Sequence, residues 1–355
     1  MLSAPSISQL IFVAGFARSG TTWVSNVINA HPDVLYRHEF FGRRYALLGD
    51  ELFRKVKFDS GLSDDDYASA LRVLARGDVD TDKPPFFPKR FRTIGRPTIQ
   101  KLAWLAAKTS PAFAAAYARL FTPGHGRDVT VVVKETGAAI WLESYMAGMR
   151  ANALVVVIRH PYAVIASHLV GSQAGLLQRP SAGYRESWFK HHATRTRYLE
   201  NCGIASAQVA GMSDVEFLAL SWRVQNDEYL RLNDAHPRSK VLIYEGFVAD
   251  PRRQTEDLLR FLALSPDEQV FGFLDASTST SGKARMHMKL GSASSKYYSV
   301  FREKDFDRDK WNRTLSPNDL ALIDRHTAPL VSTLGLAQWV SMPTKAYASE
   351  AATHE

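Results

Sequence analysis

Gly15 and Gly20 stand five residues apart just after the apolar run IFVA, in the stretch GFARSGTTWVSNVINAHPDV from Gly15 to Val34. This is the glycine spacing of the triphosphate-binding loop G-x-x-x-x-G-K-[ST], but Thr21 occupies the lysine position. The amides of such a loop and of the helix that follows still cradle a phosphate, because the free N–H groups and the partial positive charge belong to the backbone. What is lost is the lysine that reaches the β- and γ-phosphates, and no apolar run here ends in the aspartate that would hold magnesium. The cation has moved back into the loop as Arg18.

A second anion-binding pair sits in LVVVIRHPYAVIASH. Arg159 follows an apolar run directly, and Ser167 lies about two turns into a helix starting near Pro161. A dianionic phosphate is well served by a forked guanidinium together with a hydroxyl donor. RSGTTW after a strand, followed by this arginine and serine, resembles the two nucleotide-binding motifs of sulfotransferases that use 3′-phosphoadenosine 5′-phosphosulfate (PAPS). VLIYEGFVADPRRQTEDLLRFLAL and DKWNRTLSP resemble later family segments, so the likeness runs from about Ile11 to Leu336.

The resemblance implies that Arg18, Ser19, Gly20, Thr21 and Thr22 bind the 5′-phosphosulfate and that Arg159 and Ser167 bind the 3′-phosphate. Trp23 and Tyr244 would border the adenine, their alternative being plain core packing. The implied reaction moves a sulfuryl group from PAPS to an acceptor hydroxyl or amine, leaves 3′-phosphoadenosine 5′-phosphate (PAP), and requires no metal. Three residues are placed for catalysis: Arg18, Lys134 at the end of an apolar run, and Glu39 in HPDVLYRHEFFG. Similar carbohydrate sulfotransferases carry a glutamate after an equivalent run and use it as general base. Flanking Phe40 and Phe41 would raise its pKa, while pairing with Arg37 or Arg43 would make it a surface charge. Cytosolic small-molecule members place a histidine base two residues after the lysine, where this chain has Thr136. That difference, with Arg18 in place of their lysine, points to the carbohydrate-modifying branch and to a carbohydrate or glycolipid acceptor; Glu135 is the reserve candidate for the base.

These residues need a scaffold. IFVA (Ile11 to Ala14), VVVK (Val131 to Lys134), LVVVI (Leu154 to Ile158) and VLIY (Val241 to Tyr244) read as strands without period-two alternation, the pattern of a parallel sheet covered on both faces. Helical segments between them imply a doubly wound α/β domain of the P-loop nucleotide-binding type. Ser110-Pro111, Ser213 with Glu216, Asp250-Pro251 and Ser316-Pro317 read as helix starts. One domain over 1–340 is expected, with a helical insertion over 42–130 able to lid the sheet edge, a loop over 276–300 near the site, and a disordered tail over 341–355.

With 45% hydrophobic and 23% charged residues the chain is of globular type, and its net charge of +8 suits an anionic partner. No aromatic-basic repeat or zinc-finger spacing supports nucleic-acid binding. Cys202 is the only cysteine, which excludes an internal disulfide and fits a reducing, cytoplasmic setting. No signal peptide is read, since MLSAPSISQL lacks a basic n-region and a long apolar run, and no transmembrane segment, since LAWLAAKTSPAFAAAYARLF is interrupted by Lys108, Pro111 and Arg119. His31, His38, His168 and His191-His192 lack metal-ligand spacing. Two other functions fit the loop: a P-loop kinase or NTPase, disfavoured by the missing lysine, and a non-catalytic module binding PAPS or an anionic glycan.

Overall fold

The computed structural model describes residues 6–43, 45–58, 62–92, 94–124, 128–194, 196–278 and 310–340. Five parallel strands form one sheet: β1 (Ser6–Gly15), β2 (Val34–His38), β3 (Asp128–Thr136), β4 (Ala153–Ile158) and β5 (Ser239–Ile243), in the order β2-β3-β1-β4-β5. The apolar runs are continuous because successive side chains enter different cores. Leu10, Phe12 and Ala14 of β1, with Val131 and Val133 of β3 and Val156 of β4, pack on one face. Ile11 and Val13, with Val132, Val155 and Val157, pack on the other. A strand buried on both faces has no polar position to alternate with.

Helices cover both faces. Helix α1 (Thr21–Asn29) and the helices Pro251–Phe261 and Glu268–Thr278 fill one side with Trp23, Val27, Leu258 and Phe273. Helices Ala139–Gly148 and Asp214–Ala235 fill the other with Leu142, Tyr145, Trp222 and Tyr229. The doubly wound α/β architecture expected from the sequence is the one observed.

The helix starts hold in detail: Ser110, Ser213, Asp250 and Ser316 each accept a backbone N–H from three residues on. At Ser213 the reciprocal half of the capping box is missing, as the Glu216 carboxylate turns instead to Arg325, 3.2 Å away. The stretch between β2 and β3 carries its own helices, among them Asp50–Phe58, Asp64–Ala75, Pro97–Ala107 and Pro111–Phe121. Most of 276–300 and all of 341–355 lie outside the described residues.

Strand β2 is absent from the sequence reading. VLYRH looks polar at Arg37, yet Arg37 is fully buried at this edge strand. Its guanidinium donates to the carbonyls of Leu74, Ala75 and Arg76 and pairs with Asp82. Arg37 is therefore a structural ion committed away from Glu39.

Candidate active site

All five strands point their carboxyl ends at one edge of the sheet, and the chain changes direction around β1: β2 and β3 lie on one side, β4 and β5 on the other. Open α/β sheets bind ligands at such a switch point. The loop that follows β1 spans 16–20 and leads into α1. Ser19 N–H donates to the Phe16 carbonyl at 3.1 Å, which closes a tight turn.

The two glycines are there for different reasons. A Cβ on Gly15 would lie 2.4 Å from the Val157 carbonyl oxygen of β4, so this position needs bare backbone. Gly20 has φ +90°, and its Cβ would lie 2.3 Å from the Tyr244 ring. Arg18, at φ 71°, is left-handed without being glycine, a conformation that concentrates at functional sites. No side chain caps α1, so the positive end of its dipole faces the loop. Ser19 Oγ is buried and has no hydrogen-bond partner among the described residues.

From the β4 side, two residues close on this loop. Arg159 directly follows β4 and its Nη1 donates to the Arg18 carbonyl at 3.2 Å. Ser167, on the helix Pro161–Gln173, accepts from Arg18 Nε at 3.1 Å. The Arg159 guanidinium lies over the Tyr244 ring, 4.9 Å from its centroid, and 3.9 Å from Glu245 Oε1. Trp222 Nε1 donates to the Arg159 carbonyl at 3.1 Å, and Glu245 accepts the His160 N–H at 3.0 Å, fixing the strand end from both sides. Nearby histidines add no charge. Burial, with Arg159 alongside, pushes His160 down to about 4. Burial likewise pushes His168 to about 4, the bond to the Ala17 carbonyl opposing this and Arg18 adding to it.

On the β3 side, His38 is in register with Lys134 and Gly15 with Thr136, which brings Glu39 to the lysine. Glu39 has φ 50°, and its N–H donates to the Lys134 carbonyl at 2.7 Å. Its Oε1 accepts from Lys134 Nζ at 2.6 Å and Thr136 Oγ1 at 2.7 Å. Burial raises the Glu39 pKa, but the Lys134 ammonium, His38 and these two hydrogen bonds outweigh it and hold the carboxyl well below the usual range. Glu135, on the opposite face of β3, is pushed up to about 8 by burial, against the Phe41 N–H it accepts at 2.8 Å. The two adjacent carboxyls are thus driven in opposite directions, Glu39 down and Glu135 up.

The structure therefore brings together Arg18, Ser19, Gly20, Thr21, Arg159 and Ser167 around one loop, with Glu39 and Lys134 paired at its β3 flank. Trp23 lies deeper. Its indole donates to Ser277 at 3.0 Å and its ring meets Phe247 edge-on, while Tyr244 packs beneath Gly20. Sequence reasoning missed Thr136 as a Glu39 partner, although strand periodicity puts residues 134 and 136 on one face. It also missed Trp222 as the support of the Arg159 carbonyl, for which the sequence carries no signal, and assigned no role to Glu245 or His168. Among the described residues no group of three metal-ligating side chains converges.

Laid out along the sheet edge, these groups offer a carboxylate and ammonium at β2/β3, an uncapped helix N-terminus at β1 and two guanidiniums at β1/β4. That sequence of charges suits a ligand with two separate anionic groups and a neutral acceptor beside the carboxylate.

Solved sulfotransferases match this chain along most of its length. The sulfotransferase domain of the Synechococcus PCC 7002 olefin synthase covers 96% of this chain and 97% of its own, at 17% identity and TM-score 0.47. Mouse sulfotransferase SULT7A1, solved with PAP, covers 96% of this chain and 92% of its own, at 12% identity and TM-score 0.46. A sulfotransferase from Alicyclobacillus acidocaldarius covers 93% and 97%, at 15% identity and TM-score 0.39. No protein-family model and no curated protein matches the chain.

Proposed function

We propose that this protein is a PAPS-dependent sulfotransferase acting on an acceptor hydroxyl or amine, with a carbohydrate or glycolipid as the acceptor class. The observation that carries the reading is the convergence of Arg159 and Ser167 on the Arg18 loop at an uncapped helix N-terminus. The donor fits these residues: the orphaned Ser19 hydroxyl and the α1 amides suit the 5′-phosphosulfate, and Arg159 with Ser167 suits the 3′-phosphate.

On this reading the acceptor oxygen attacks sulfur while the bond from sulfur to the 5′-phosphate oxygen breaks. Negative charge then grows on that phosphate oxygen, where Arg18, Lys134 and the positive end of α1 stabilise it. The acceptor proton passes to Glu39. In the unliganded chain Glu39 is a feeble base because Lys134 holds it ionised. A donor anion that engages Lys134 loosens this pair and raises the Glu39 pKa toward a range where it takes a proton. Donor binding would in this way arm the base.

The test is transfer from labelled PAPS to a panel of sugars, glycolipids and phenols, run beside calorimetry with PAP and AMP. Labelled product, with PAP bound more tightly than AMP, is the expected result. Equal affinity for the two nucleotides, or magnesium-dependent ATP turnover without sulfuryl transfer, would overturn the reading.

A further inference from the structure

Five of the eight large apolar side chains that stand exposed among the described residues lie on one helical hairpin, Pro97–Ala107 and Pro111–Phe121. Ile99, Leu102 and Leu105 are 44%, 62% and 47% exposed, and Phe113 and Leu120 are 55% and 51% exposed. Their spacing makes a stripe at i, i+3, i+6 on the first helix and a pair at i, i+7 on the second. The helices use different positions to pack on each other, Trp104 and Ala107 meeting Tyr117 and Phe121.

The charge around them has one sign. From Lys83 to Arg127 the sequence has nine Lys and Arg and no Asp or Glu, in a chain whose whole net charge is +8. Arg96, Lys101, Lys108 and Arg119 are exposed on or beside the hairpin and form no ion pair among the described residues. Arg90 and Arg150 are exposed too but are paired, Arg90 with Asp33 and Asp267 and Arg150 with Asp64. Each hairpin helix has 11 residues, about 16 Å. That is half of the roughly 30 Å needed to cross a bilayer.

We propose that this hairpin docks the protein onto an anionic lipid surface, its apolar side chains entering the headgroup boundary and its unpaired cations meeting the lipid phosphates. Helices that expose apolar side chains and whose charged residues are all Lys or Arg have the form that lies in an interface. A second copy of the chain is the poorer occupant, since a symmetric contact would press two sets of unpaired cations together. The hairpin is also fastened to the catalytic strand end. Tyr117 donates to Asp82 at 2.8 Å, Asp82 pairs with Arg37 of β2, and His38 donates its N–H to the Thr81 carbonyl at 2.9 Å, one residue before Glu39. The docking proposal stands apart from the donor; that the acceptor is carried by the same surface rests on the sulfuryl-transfer reading.

Sedimentation of the full chain with phosphatidylcholine vesicles, with and without phosphatidylglycerol, tests it without any nucleotide. Two surface variants are compared, Leu102→Ser/Leu105→Ser/Phe113→Ser and Lys101→Ser/Lys108→Ser/Arg119→Ser, with thermal melts to confirm folding. Binding to the phosphatidylglycerol vesicles is expected, weakened by salt and reduced by either variant. Each basic residue near such a surface contributes about fivefold, so the charge variant should lose about a hundredfold. Equal binding to both vesicle types, wild-type binding by either variant, or a dimer abolished by the apolar variant without vesicle binding would overturn the proposal. PAP calorimetry on the same samples in the absence of lipid keeps its failure separate from that of the donor reading.

Discussion

Gly20→Ala should damage both the fold and the donor loop, and the structure divides the damage into two parts. Gly20 sits at φ +90°, where an L side chain costs about 1 to 2 kcal/mol in backbone strain. Its new methyl would also stand 2.3 Å from Cδ2 and Cε2 of Tyr244, a buried ring that packs over Arg159 and near Trp23. Overpacking of this kind costs about 1 to 3 kcal/mol. The sum, roughly 2 to 5 kcal/mol, is a large fraction of the 5 to 15 kcal/mol typical of a folded protein. Urea denaturation measures it, and Tyr244→Ala in a double-mutant cycle separates the parts. Removing the ring abolishes the clash but leaves the backbone strain, so the double variant should be about 1 to 3 kcal/mol more stable than the two single effects predict. A Gly20→Ala protein with the wild-type urea midpoint, or a cycle additive within about 0.5 kcal/mol, would refute the packing argument.

Arg159→Ala should weaken PAP binding about ten- to a hundredfold and leave AMP binding nearly unchanged, since charge-assisted hydrogen bonds are worth roughly 1.5 to 3 kcal/mol; calorimetry reads both. Glu39→Gln should lower turnover by about 10² to 10⁴ with PAP affinity retained, whereas a purely structural glutamate would lower stability and both activities together. Turnover should persist in excess EDTA, because Arg18, Lys134 and α1 supply the positive charge; loss restored by magnesium would favour kinase-like chemistry. Glu135, whose pKa is raised to about 8 when folded, contributes stability below its ordinary value of 4.5 that is lost as pH rises toward 8. Glu135→Gln should therefore gain on the wild type by roughly 3 to 5 kcal/mol between pH 4.5 and 8, read as the difference in urea midpoints at the two ends. A pH-independent difference would show that Glu135 ionises freely.

What the sequence made legible was whatever is encoded locally. The central strands show as apolar runs because both their faces are buried, and four helix starts show because Ser110, Ser213, Asp250 and Ser316 cap their own neighbours. The Arg18 loop is legible because its glycines and Arg18 fall within six residues, although Gly15 is required by the distant Val157 carbonyl and Gly20 by the Tyr244 ring as well as by its own φ of +90°. Strand β2 was hidden because its polarity is misleading: Arg37 is satisfied by carbonyls nearly forty residues away. The partnerships of the site were hidden too. Glu39 reaches Lys134 and Thr136 across 95 and 97 positions, and Arg18 reaches Ser167 across 149. Such pairs exist only once the strand order is fixed, and no local pattern specifies that order. Thr136 shows the cost: read alone it marks a missing histidine, whereas beside Glu39 it is a hydrogen-bond donor.

The position of β1 in the middle of the sheet also governs when the nucleotide loop comes into being. β1 is made first but pairs only with β3 and β4, over a hundred residues later in the chain. During synthesis it waits as an apolar segment without a partner, and the loop has neither the Val157 carbonyl beside Gly15 nor Arg159 beside Arg18 until β4 has emerged. Contacts of such long range make folding slow, because a large loop must close before any ladder bond rewards it. The loop after β1 is thus completed only once β4 and the later Tyr244 are in place, and β1 is open to mispairing until then.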